Sequence, residues 1–374
     1  MEKMKRQALK YLSIALAILV LTVGYSANRH RVLAGVGTWT QCSEGMGGAS
    51  DVLDMTLSPD YLNDHTIFAG TYGNGIFKST NDGASWSAAN AGLTDLYVRA
   101  VALSPGYTTD RTLFAGTGRQ FEFSGKVFTS TNGGVSWTAT NLTNALVRAV
   151  ALSPDYVNDR TVFAGTFGLG VLKSTDGGAS WRSVNSGLPN NAPLTIAISP
   201  AYATDHTLFV GIEWEGAFKS TDSGESWSAT GLTGHGVFAL ALSPAYPSDR
   251  TLLAGTYQNG VYKSTDSGVS WYVMNTGLNN WLVRALVFSL DYTNDQTLFV
   301  GTYGSGVFKS TNGAASWSTM NAGLGDLHIE SLALTPTSSR TLFVGTEGSS
   351  VWQYTELLLP YKVYLPLMLK GYTQ

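Results

Sequence analysis

The chain contains almost no cysteine and little charge. Cys42 is the single cysteine among 374 residues, which excludes an intrachain disulfide. Charged residues make up 13% of the chain, about half the share in an average soluble protein. The formal net charge is -3, so there is no electrostatic reason to bind nucleic acid or an anionic lipid surface. We therefore expect no nucleic-acid partner.

One apolar run near the N-terminus has the character of a targeting segment. Residues 11–25 are largely apolar and follow a basic region that contains Lys3, Lys5, Arg6 and Lys10. A run of this length matches the core of a signal peptide and is short for a helix that spans a bilayer. We predict that residues 1–34 are a signal peptide or, in the alternative, an uncleaved membrane anchor. Either way we expect the rest to be exported, to be secreted or held at the surface of a bacterium, with membrane contact only through this segment.

The remaining sequence repeats itself. It is rich in glycine and aromatic residues, which suit short strands joined by tight turns. The repeated unit is 44 to 51 residues long, the size of a four-stranded propeller blade. A tryptophan marks each of seven units, at Trp39, Trp86, Trp137, Trp181, Trp227, Trp271 and Trp317. A Ser-Pro element or its variant also occurs seven times, at Ser58-Pro59, Ser104-Pro105, Ser153-Pro154, Ser199-Pro200, Ser243-Pro244, Ser289-Leu290 and Thr335-Pro336.

Each unit predicts four short strands, A to D. Strand A reads Val-Arg-Ala-Val-Ala-Leu, strand B reads Thr-Leu-Phe-Ala-Gly-Thr, strand C reads Gly-Val-Phe-Lys-Ser-Thr, and strand D begins at the tryptophan. Apolar side chains on both faces of strands A and B imply sheets that are buried between neighbouring sheets. One such sheet cannot bury its faces alone, so a ring is needed. We predict an all-β fold, a seven-bladed β-propeller over residues 35–355, followed by an apolar tail over residues 356–374.

The offset of the repeats predicts how the ring closes. Trp39 precedes any A strand, and the last unit has strands A, B and C but no D strand that begins at a tryptophan. We therefore expect residues 39–42 to supply strand D of the last blade, so that the N- and C-terminal strands close the ring. Closure removes the open sheet edges that would invite aggregation.

Six units share a pattern at the turn from strand C to strand D. It reads Ser-Thr-[Asn/Asp]-x-[Gly/Ala]-x-Ser-Trp, and its first serine, its acid or amide and its tryptophan are Ser79, Asn81, Trp86; Ser130, Asn132, Trp137; Ser174, Asp176, Trp181; Ser220, Asp222, Trp227; Ser264, Asp266, Trp271; and Ser310, Asn312, Trp317. The pattern resembles the Asp box, or BNR repeat, of sialidases, sortilin-type receptors and photosystem II assembly-factor-like proteins. The accompanying Ser-Pro-x-Tyr-x-x-Asp-x-Thr-Leu-Phe-Ala-Gly-Thr sequence is most similar to the bacterial repeat proteins of the last group.

The acid position of this C–D turn favours a structural role. It is asparagine in half of the copies, and asparagine keeps the hydrogen-bond acceptor of aspartate but cannot transfer a proton. We expect these side chains to accept hydrogen bonds from turn amides, and the tryptophan ring to pack against the hairpin. In the sixth copy Ala314 stands where glycine is expected, which predicts a strained or differently shaped turn.

The loop between strands A and B carries a second repeated acid, with a tyrosine three residues before it. The acids are Asp64, Asp110, Asp159, Asp205, Asp249 and Asp295. Their recurrence in nearly every blade predicts a role in capping the turn. Calcium binding is the alternative, but no unit shows a dense run of oxygen ligands. We expect no metal and no cofactor.

Features that differ between blades are better candidates for function. The Asp-box resemblance places ligand sites on the face that carries the start of strand A and the B–C and D–A loops. The start of strand A holds Leu53, Arg99, Arg148, Leu194, Phe238, Arg284 and Glu330. The candidate ligand-binding residues are Arg99, Arg148, Arg284, Glu330, Glu213, Trp214, Glu215, Tyr72, Tyr257, Tyr303 and Glu347. The D–A loops add Asn190, Asn191, His235, Trp281 and His328.

Two interpretations of this face remain open. Arginines, carboxylates and aromatic rings suit a sugar, a peptide segment or an anionic group. In the alternative, Arg99, Arg148 and Arg284 pair with backbone groups or carboxylates at the mouth of the channel and have no ligand.

Two functions also remain open. The resemblance implies either a glycoside hydrolase, as in sialidases and some glucanases, or a non-catalytic scaffold, as in the assembly-factor relatives. Retaining hydrolases need two carboxyl groups, or Tyr plus Glu, facing one sugar, and the candidate acids are Glu213, Glu215, Glu330, Glu347 and Glu122. The Phe/Tyr-Arg-Ile-Pro motif of sialidases is absent and the loops are short. We favour an exported, monomeric, non-catalytic scaffold for a protein or carbohydrate ligand.

The tail contains Pro360 and Pro366, which exclude a spanning helix. Its Tyr-Leu-Pro-Leu run is similar to short terminal tags of some secreted bacterial proteins. The alternative is an extended strand that packs on the side of the propeller.

Overall fold

The computed structural model describes residues 37–48, 51–120, 122, 124–189, 192–336, 340–348 and 350–356. The predicted signal segment lies outside the described residues, as do Asn190, Asn191 and the tail beyond residue 356.

The described residues form seven four-stranded antiparallel sheets, which are the blades of a β-propeller. In blades 1 to 7, strand A is β2 (Val52–Leu57), β6 (Val98–Leu103), β10 (Leu146–Leu152), β14 (Pro193–Ile198), β18 (Val237–Leu242), β22 (Val283–Phe288) and β26 (Ile329–Leu334). Strand B is β3 (Ile67–Thr71), β7 (Leu113–Thr117), β11 (Val162–Phe167), β15 (Leu208–Ile212), β19 (Leu252–Thr256), β23 (Leu298–Thr302) and β27 (Arg340–Thr346). Strand C is β4 (Gly75–Ser79), β8 (Lys126–Ser130), β12 (Gly170–Ser174), β16 (Gly216–Ser220), β20 (Gly260–Ser264), β24 (Gly306–Ser310) and β28 (Val351–Glu356). Strand D is β5 (Ser87–Ala88), β9 (Thr138–Thr143), β13 (Arg182–Ser183), β17 (Ser228–Thr233), β21 (Tyr272–Val273), β25 (Ser318–Thr319) and, in blade 7, β1 (Trp39–Gln41).

The ring closes where the prediction placed the closure. Strand β1 pairs antiparallel with β28, with Trp39 opposite Tyr354 and Gln41 opposite Trp352. Successive A strands contact one another around the ring, and β26 contacts β2. The prediction of a seven-bladed propeller closed by its N- and C-terminal strands is therefore confirmed.

The core lies between the blades. Strand B is buried at every position in blades 1 and 2, for example, because apolar side chains on its two faces pack against both neighbouring blades. The phenylalanine of strand B meets the repeated tyrosine of the next blade edge to face. Their ring centroids are 5.8–6.0 Å apart in Phe68–Tyr107, Phe114–Tyr156, Phe163–Tyr202 and Phe209–Tyr246.

The repeated acid of the A–B loop caps its own turn. Asp64 accepts a hydrogen bond from the Ser58 hydroxyl at 2.6 Å and another from the amide of Thr66 at 2.9 Å. The same three positions make the same bonds in the next five blades. Each of these loops contains a one-turn helix, at Tyr61–Asp64, Tyr107–Asp110, Tyr156–Asp159, Tyr202–Asp205, Tyr246–Asp249 and Tyr292–Asp295.

The C–D turns are also satisfied internally, whether they carry aspartate or asparagine. The hydroxyl of Ser79 accepts a hydrogen bond from the amide of Gly83 at 3.0 Å, and Asn81 Oδ1 accepts one from the amide of Ser85 at 3.0 Å. Asp176 Oδ1 accepts the equivalent bond from Ser180 at 2.9 Å. Ala314 keeps the pattern, since its amide donates to Ser310 at 3.0 Å, and it does so with a left-handed φ of 76°.

Tryptophan joins the C–D turn of a blade to the blade before it. The indole Nε1–H of Trp86, Trp137, Trp227 and Trp317 donates to a main-chain oxygen of the preceding blade at 2.7–2.8 Å. Trp39 donates to Met320 O in the same way and so fastens the closing strand. Trp181 and Trp271 donate instead within their own turns, and these two follow the blades whose D strands, β9 and β17, have six residues.

Outside the strands the described chain is mostly turns. Among the described residues, no helix is both long and apolar enough to cross a bilayer. Cys42 is buried, and burial raises the pKa of its thiol. Its main-chain oxygen accepts the hydrogen bond from the Trp86 indole.

Gly134 lies where the C–D turn of blade 2 packs closely against blade 1. It has a φ of +84°, and a Cβ atom there would lie 2.8 Å from Cε1 of Phe68 in the preceding blade. We expect Gly134→Ala to lower the free energy of unfolding by about 2 kcal/mol, because it combines left-handed strain with overpacking. Chemical denaturation measures the effect. Val135→Ala in the same exposed turn should change stability by less than about 0.5 kcal/mol, and equal effects of the two substitutions would contradict the packing argument.

Candidate functional site

A β-bulge opens each described A strand. The pairing register between strands A and B shifts after the first residue of strand A in six blades and after the second residue, Val147, in blade 3. A bulge leaves one residue unpaired and re-aims its side chain. The residues at the shifts are Leu53, Arg99, Arg148, Leu194, Phe238, Arg284 and Glu330, the set that the sequence placed at the start of strand A. We call the surface formed by these bulge residues and by the B–C and D–A loops the mouth face.

Arg148 forms an ion pair with an acid from the neighbouring blade. Its Nη1 lies 2.7 Å from Oε2 of Glu213, and its guanidinium lies 4.7 Å from the ring centroid of Phe167. The side chain of Arg148 is 11% exposed and that of Glu213 is 30% exposed. The pair is therefore partly withdrawn from water, and neither charge is left alone.

Arg99 is held by backbone and amide groups. Its Nε donates to Gly118 O at 2.7 Å, its Nη2 donates to Gln120 Oε1 at 3.1 Å, and its guanidinium lies 5.1 Å from the Tyr72 ring centroid. Burial lowers the pKa of Arg99, the charge of Arg148 lowers it further, and Glu330 acts in the opposite direction. These couplings mean that side chains from blades 2, 3 and 7 share one electrostatic environment across the mouth.

Arg284 is the least satisfied of the three arginines. Its guanidinium lies between two aromatic rings, 4.4 Å from the centroid of Phe238 and 5.4 Å from that of Tyr303. Its buried Nε is 3.9 Å from Glu330 Oε2 and has no hydrogen-bond partner within the described part of the chain. Buried hydrogen-bond donors normally have partners, so the unpaired Nε of Arg284 is an exception that needs a physical reason.

Carboxylates cluster beside Arg284. Burial raises the pKa of Glu330, Arg284 opposes that rise, and the charges of Glu347 and Asp51 add to it. A hydrogen bond to Glu347, with burial, raises the pKa of Tyr303 to about 12. Among the described residues, no group of three or more His, Cys, Asp or Glu side chains is arranged to hold a metal ion.

Aromatic side chains continue the mouth face over blades 4 to 6. Trp214 meets Tyr257 edge to face with centroids 5.2 Å apart, and Tyr257 lies 5.8 Å from Phe238. A pocket of about 510 Å³ follows, lined by Gln258, Asn279, Asn280, Trp281, Leu282 and Tyr303. Trp214 and Trp281 are 59% and 54% exposed.

The structure therefore brings most of the candidate residues together. Arg148 with Glu213, Arg284 with Glu330, Tyr303 and Glu347, and Arg99 with Tyr72 are in contact or electrostatically coupled. Glu215 sits in the same B–C turn as Trp214, and Glu122 pairs with Arg119 at 3.4 Å. All three arginines have partners within the chain, as the alternative interpretation expected, but the donors of Arg284 are incompletely used.

Sequence reasoning missed one acidic residue beside the mouth face. Asp54 follows the bulge residue Leu53, and its Oδ2 accepts a hydrogen bond from the amide of Val101 in blade 2 at 2.8 Å. Burial raises its pKa to about 7. The equivalent residues of the other blades, which are paired with the B-strand glycine, are Ala100, Ala149, Thr195, Ala239, Ala285 and Ser331. This single acid in a column of small residues was the signal available in the sequence.

Comparison with known proteins gives a fold and no family. No family model matches the chain, and no curated protein matches it. It is similar to the crystal structure of a GH74 enzyme from Niastella koreensis, with a TM-score of 0.68 and 20% identity over 86% of this chain and 54% of the enzyme. A GH74 xyloglucanase from Xanthomonas campestris gives 0.66 and 18% over the same shares. YCF48 bound to D1 peptide gives 0.61 and 12% over 84% of this chain and 96% of YCF48. The chain spans about half the length of the two enzymes.

The carboxyl of Asp54 makes stability depend on pH. Its folded pKa of about 7 exceeds the usual value of 3.8, so its contribution to stability is greatest at low pH and is lost as the pH rises from about 4 to about 7. Asp54→Asn removes the ionisation and keeps an oxygen acceptor for Val101. We expect the gain in unfolding free energy of this variant to be about 1–2 kcal/mol larger at pH 8 than at pH 5, in urea denaturation.

The control for Asp54 is Glu44→Gln, because Glu44 is exposed. Its effect on the unfolding free energy should be the same at both pH values. A gain from Asp54→Asn that does not change between pH 5 and pH 8 would disprove the proposed burial of the charge.

Proposed function

We propose that the chain is an exported, non-catalytic binding or assembly scaffold of the Asp-box type, which presents the mouth face to a protein or glycan ligand. The observation that carries the proposal is the incompletely satisfied guanidinium of Arg284. It stands between two aromatic rings and beside Glu330, with a buried Nε that has no partner among the described residues.

The contrast between the two faces of the propeller supports this proposal. The C–D turns repeat one hydrogen-bond pattern from blade to blade, so their polar groups are used by the fold itself. The mouth face repeats the bulge but changes the side chain at it, from leucine to arginine, phenylalanine and glutamate. Side chains that vary at a fixed backbone position are free to serve recognition.

The structural neighbours include a protein that binds a peptide, which supports a scaffold. YCF48 is recorded with a D1 peptide bound, and almost all of its chain is covered by the present propeller. The GH74 enzymes share the propeller fold, but the likeness spans about half of each enzyme, so it does not carry their activity to this chain. Export rests on the predicted N-terminal signal segment.

A glycoside hydrolase is the second candidate, and one observation favours it. Burial raises the pKa of Glu330, and the charges of Glu347 and Asp51 raise it further, which is the direction that a general acid requires. Against this, Glu213 is paired with Arg148 and Glu330 lies beside Arg284, so arginine charges offset the two central acids.

Arg284 should therefore control ligand retention. We expect Arg284→Ala to reduce retention of a specific ligand, from a glycan array or a secretome pull-down, by about tenfold or more, because a charged donor inside the interface is lost. The matched control is Arg182→Ala, an exposed arginine of strand β13 that pairs with Glu225 near a C–D turn. Melting temperatures verify that both variants fold. Equal retention by the two variants would place the ligand elsewhere.

Glu330 separates the scaffold from the hydrolase. We expect the wild-type protein to turn over fluorogenic glycosides no faster than the enzyme-free blank. If turnover is present, and Glu330→Gln lowers kcat about 100-fold or more while Glu225→Gln does not, the scaffold proposal fails and the hydrolase is supported. Glu225 is a suitable control because it pairs with Lys173 and Arg182, away from the mouth.

A further inference from the structure

We infer that the mouth face contains, over blades 4 to 6, a binding site for a neutral oligosaccharide in which Trp281 and Trp214 stack on sugar rings. This inference rests on the proposed function, because it names a ligand class for one part of that face. We call the site the tryptophan pocket: the pocket lined by Gln258, Asn279, Asn280, Trp281, Leu282 and Tyr303, together with the adjoining Trp214 and Tyr257.

The fold does not need a tryptophan at position 281. At this position of the D–A loop, the main-chain oxygen accepts a hydrogen bond from the glycine that opens strand C. Trp281 O accepts from Gly260, just as Leu96 O accepts from Gly75 and Leu327 O accepts from Gly306, each at 2.9 Å. Of the three side chains Trp281 is the most exposed, at 54% against 36% for Leu96 and 37% for Leu327. The main chain of residue 281 makes the repeated hydrogen bond of the turn, so the fold does not require the indole. Ligand recognition would explain why a tryptophan stands there.

Trp214 is in conflict with the repeat. It adopts a left-handed φ of 65° in the B–C turn. The equivalent positions of blades 1, 3 and 6 are glycines with φ of 117°, 95° and 111°, at Gly73, Gly168 and Gly304. A bulky side chain in this region is strained, and strain of this kind is retained where the side chain has a use. Trp214 is 59% exposed, so burial does not compensate for the strain.

Blade 5 departs from the repeat at the same place. Gln258 also takes the left-handed position, with a φ of 64°, and its side chain lines the pocket. Blades 4 and 5 are neighbours, and both replace the glycine at this position of the B–C turn. The replacements place an indole and a carboxamide in adjacent blades on the mouth face. Tyr257, next to Gln258, connects them through its edge-to-face contact with Trp214.

The chemistry of the pocket favours a neutral saccharide. Its lining consists of three carboxamides, two aromatic residues and one leucine, and contains no charged side chain. The carboxamide of Asn280 donates to Tyr303 O and accepts from the amide of Leu282, so it shapes the pocket. The carboxamides of Gln258 and Asn279 can donate and accept hydrogen bonds, as sugar hydroxyls do, and exposed aromatic faces match the apolar C–H faces of pyranose rings. An anionic peptide or glycan would leave its charge without a cation among the lining residues. The volume of about 510 Å³ lies within the range of about 300–1,000 Å³ that small-molecule sites occupy.

The test titrates cellohexaose, xylohexaose and maltohexaose against the purified propeller, followed by intrinsic tryptophan fluorescence and calorimetry. We expect at least one hexaose to bind, and Trp281→Ala to weaken that binding about tenfold or more. Leu327→Ala is the matched control, since it truncates the equivalent exposed side chain of the next blade, and should leave the affinity unchanged. An oligogalacturonate of the same length should bind more weakly than the neutral hexaose.

Trp214→Gly separates binding from stability. It restores the residue type that blades 1, 3 and 6 carry, so the melting temperature should equal or exceed that of the wild type. The affinity for the hexaose should nevertheless fall several-fold. A variant that is stable and binds as the wild type does would remove Trp214 from the site.

The inference is overturned if no neutral hexaose binds, or if Trp281→Ala binds as well as the wild type. Its failure can be distinguished from failure of the proposed function. A ligand that is still retained in an Arg284-dependent manner leaves the scaffold standing without the tryptophan pocket, whereas loss of both removes the mouth face as a binding surface.

Discussion

Burial of both faces of every blade is the constraint on which the structure depends. A single four-stranded sheet of this sequence exposes apolar side chains on each side, and only two neighbours can cover them. Phe68, Phe114 and Phe163 are each fully buried against a tyrosine of the next blade. Because every blade of a ring needs two neighbours, the last blade must also pack against the first. The last blade is completed when strand β1 pairs with β28. The tryptophan indoles that reach the preceding blade add directional bonds to this non-directional burial.

Much of this architecture could be predicted from the sequence, because the repeated motifs show where each blade begins and ends. The Ser-Pro element, the B strand and the C–D turn recur in phase, and each has a local physical reason to occur where it does. The missing D strand of the last unit predicted that residues 39–42 complete the last blade, where the structure places Trp39 opposite Tyr354. The two lengths of strand D were not predicted, because β5 and β9 follow similar turns, and only packing on the next blade distinguishes them.

The candidate site was predictable in position but not in detail. The bulge explains why, since it gives one residue in each A strand a different direction while the sequence pattern alone shows only an apolar strand. Which partners these residues find depends on neighbouring blades: Arg148 meets Glu213 of blade 4, and Arg284 meets Phe238 of blade 5. Asp54 was overlooked for the same reason, because its pKa is raised by burial in the folded chain, which the sequence pattern does not show.

The bulges also bear on how such a protein diverges. The flanking ladder keeps the same bulge in all seven blades, although the side chain there is leucine, arginine, phenylalanine or glutamate. A duplicated gene could therefore acquire new specificity through a handful of codon changes at the rim, with little loss of foldability. Directed evolution could randomise the codons of the seven bulge residues, which form a compact library on one fold.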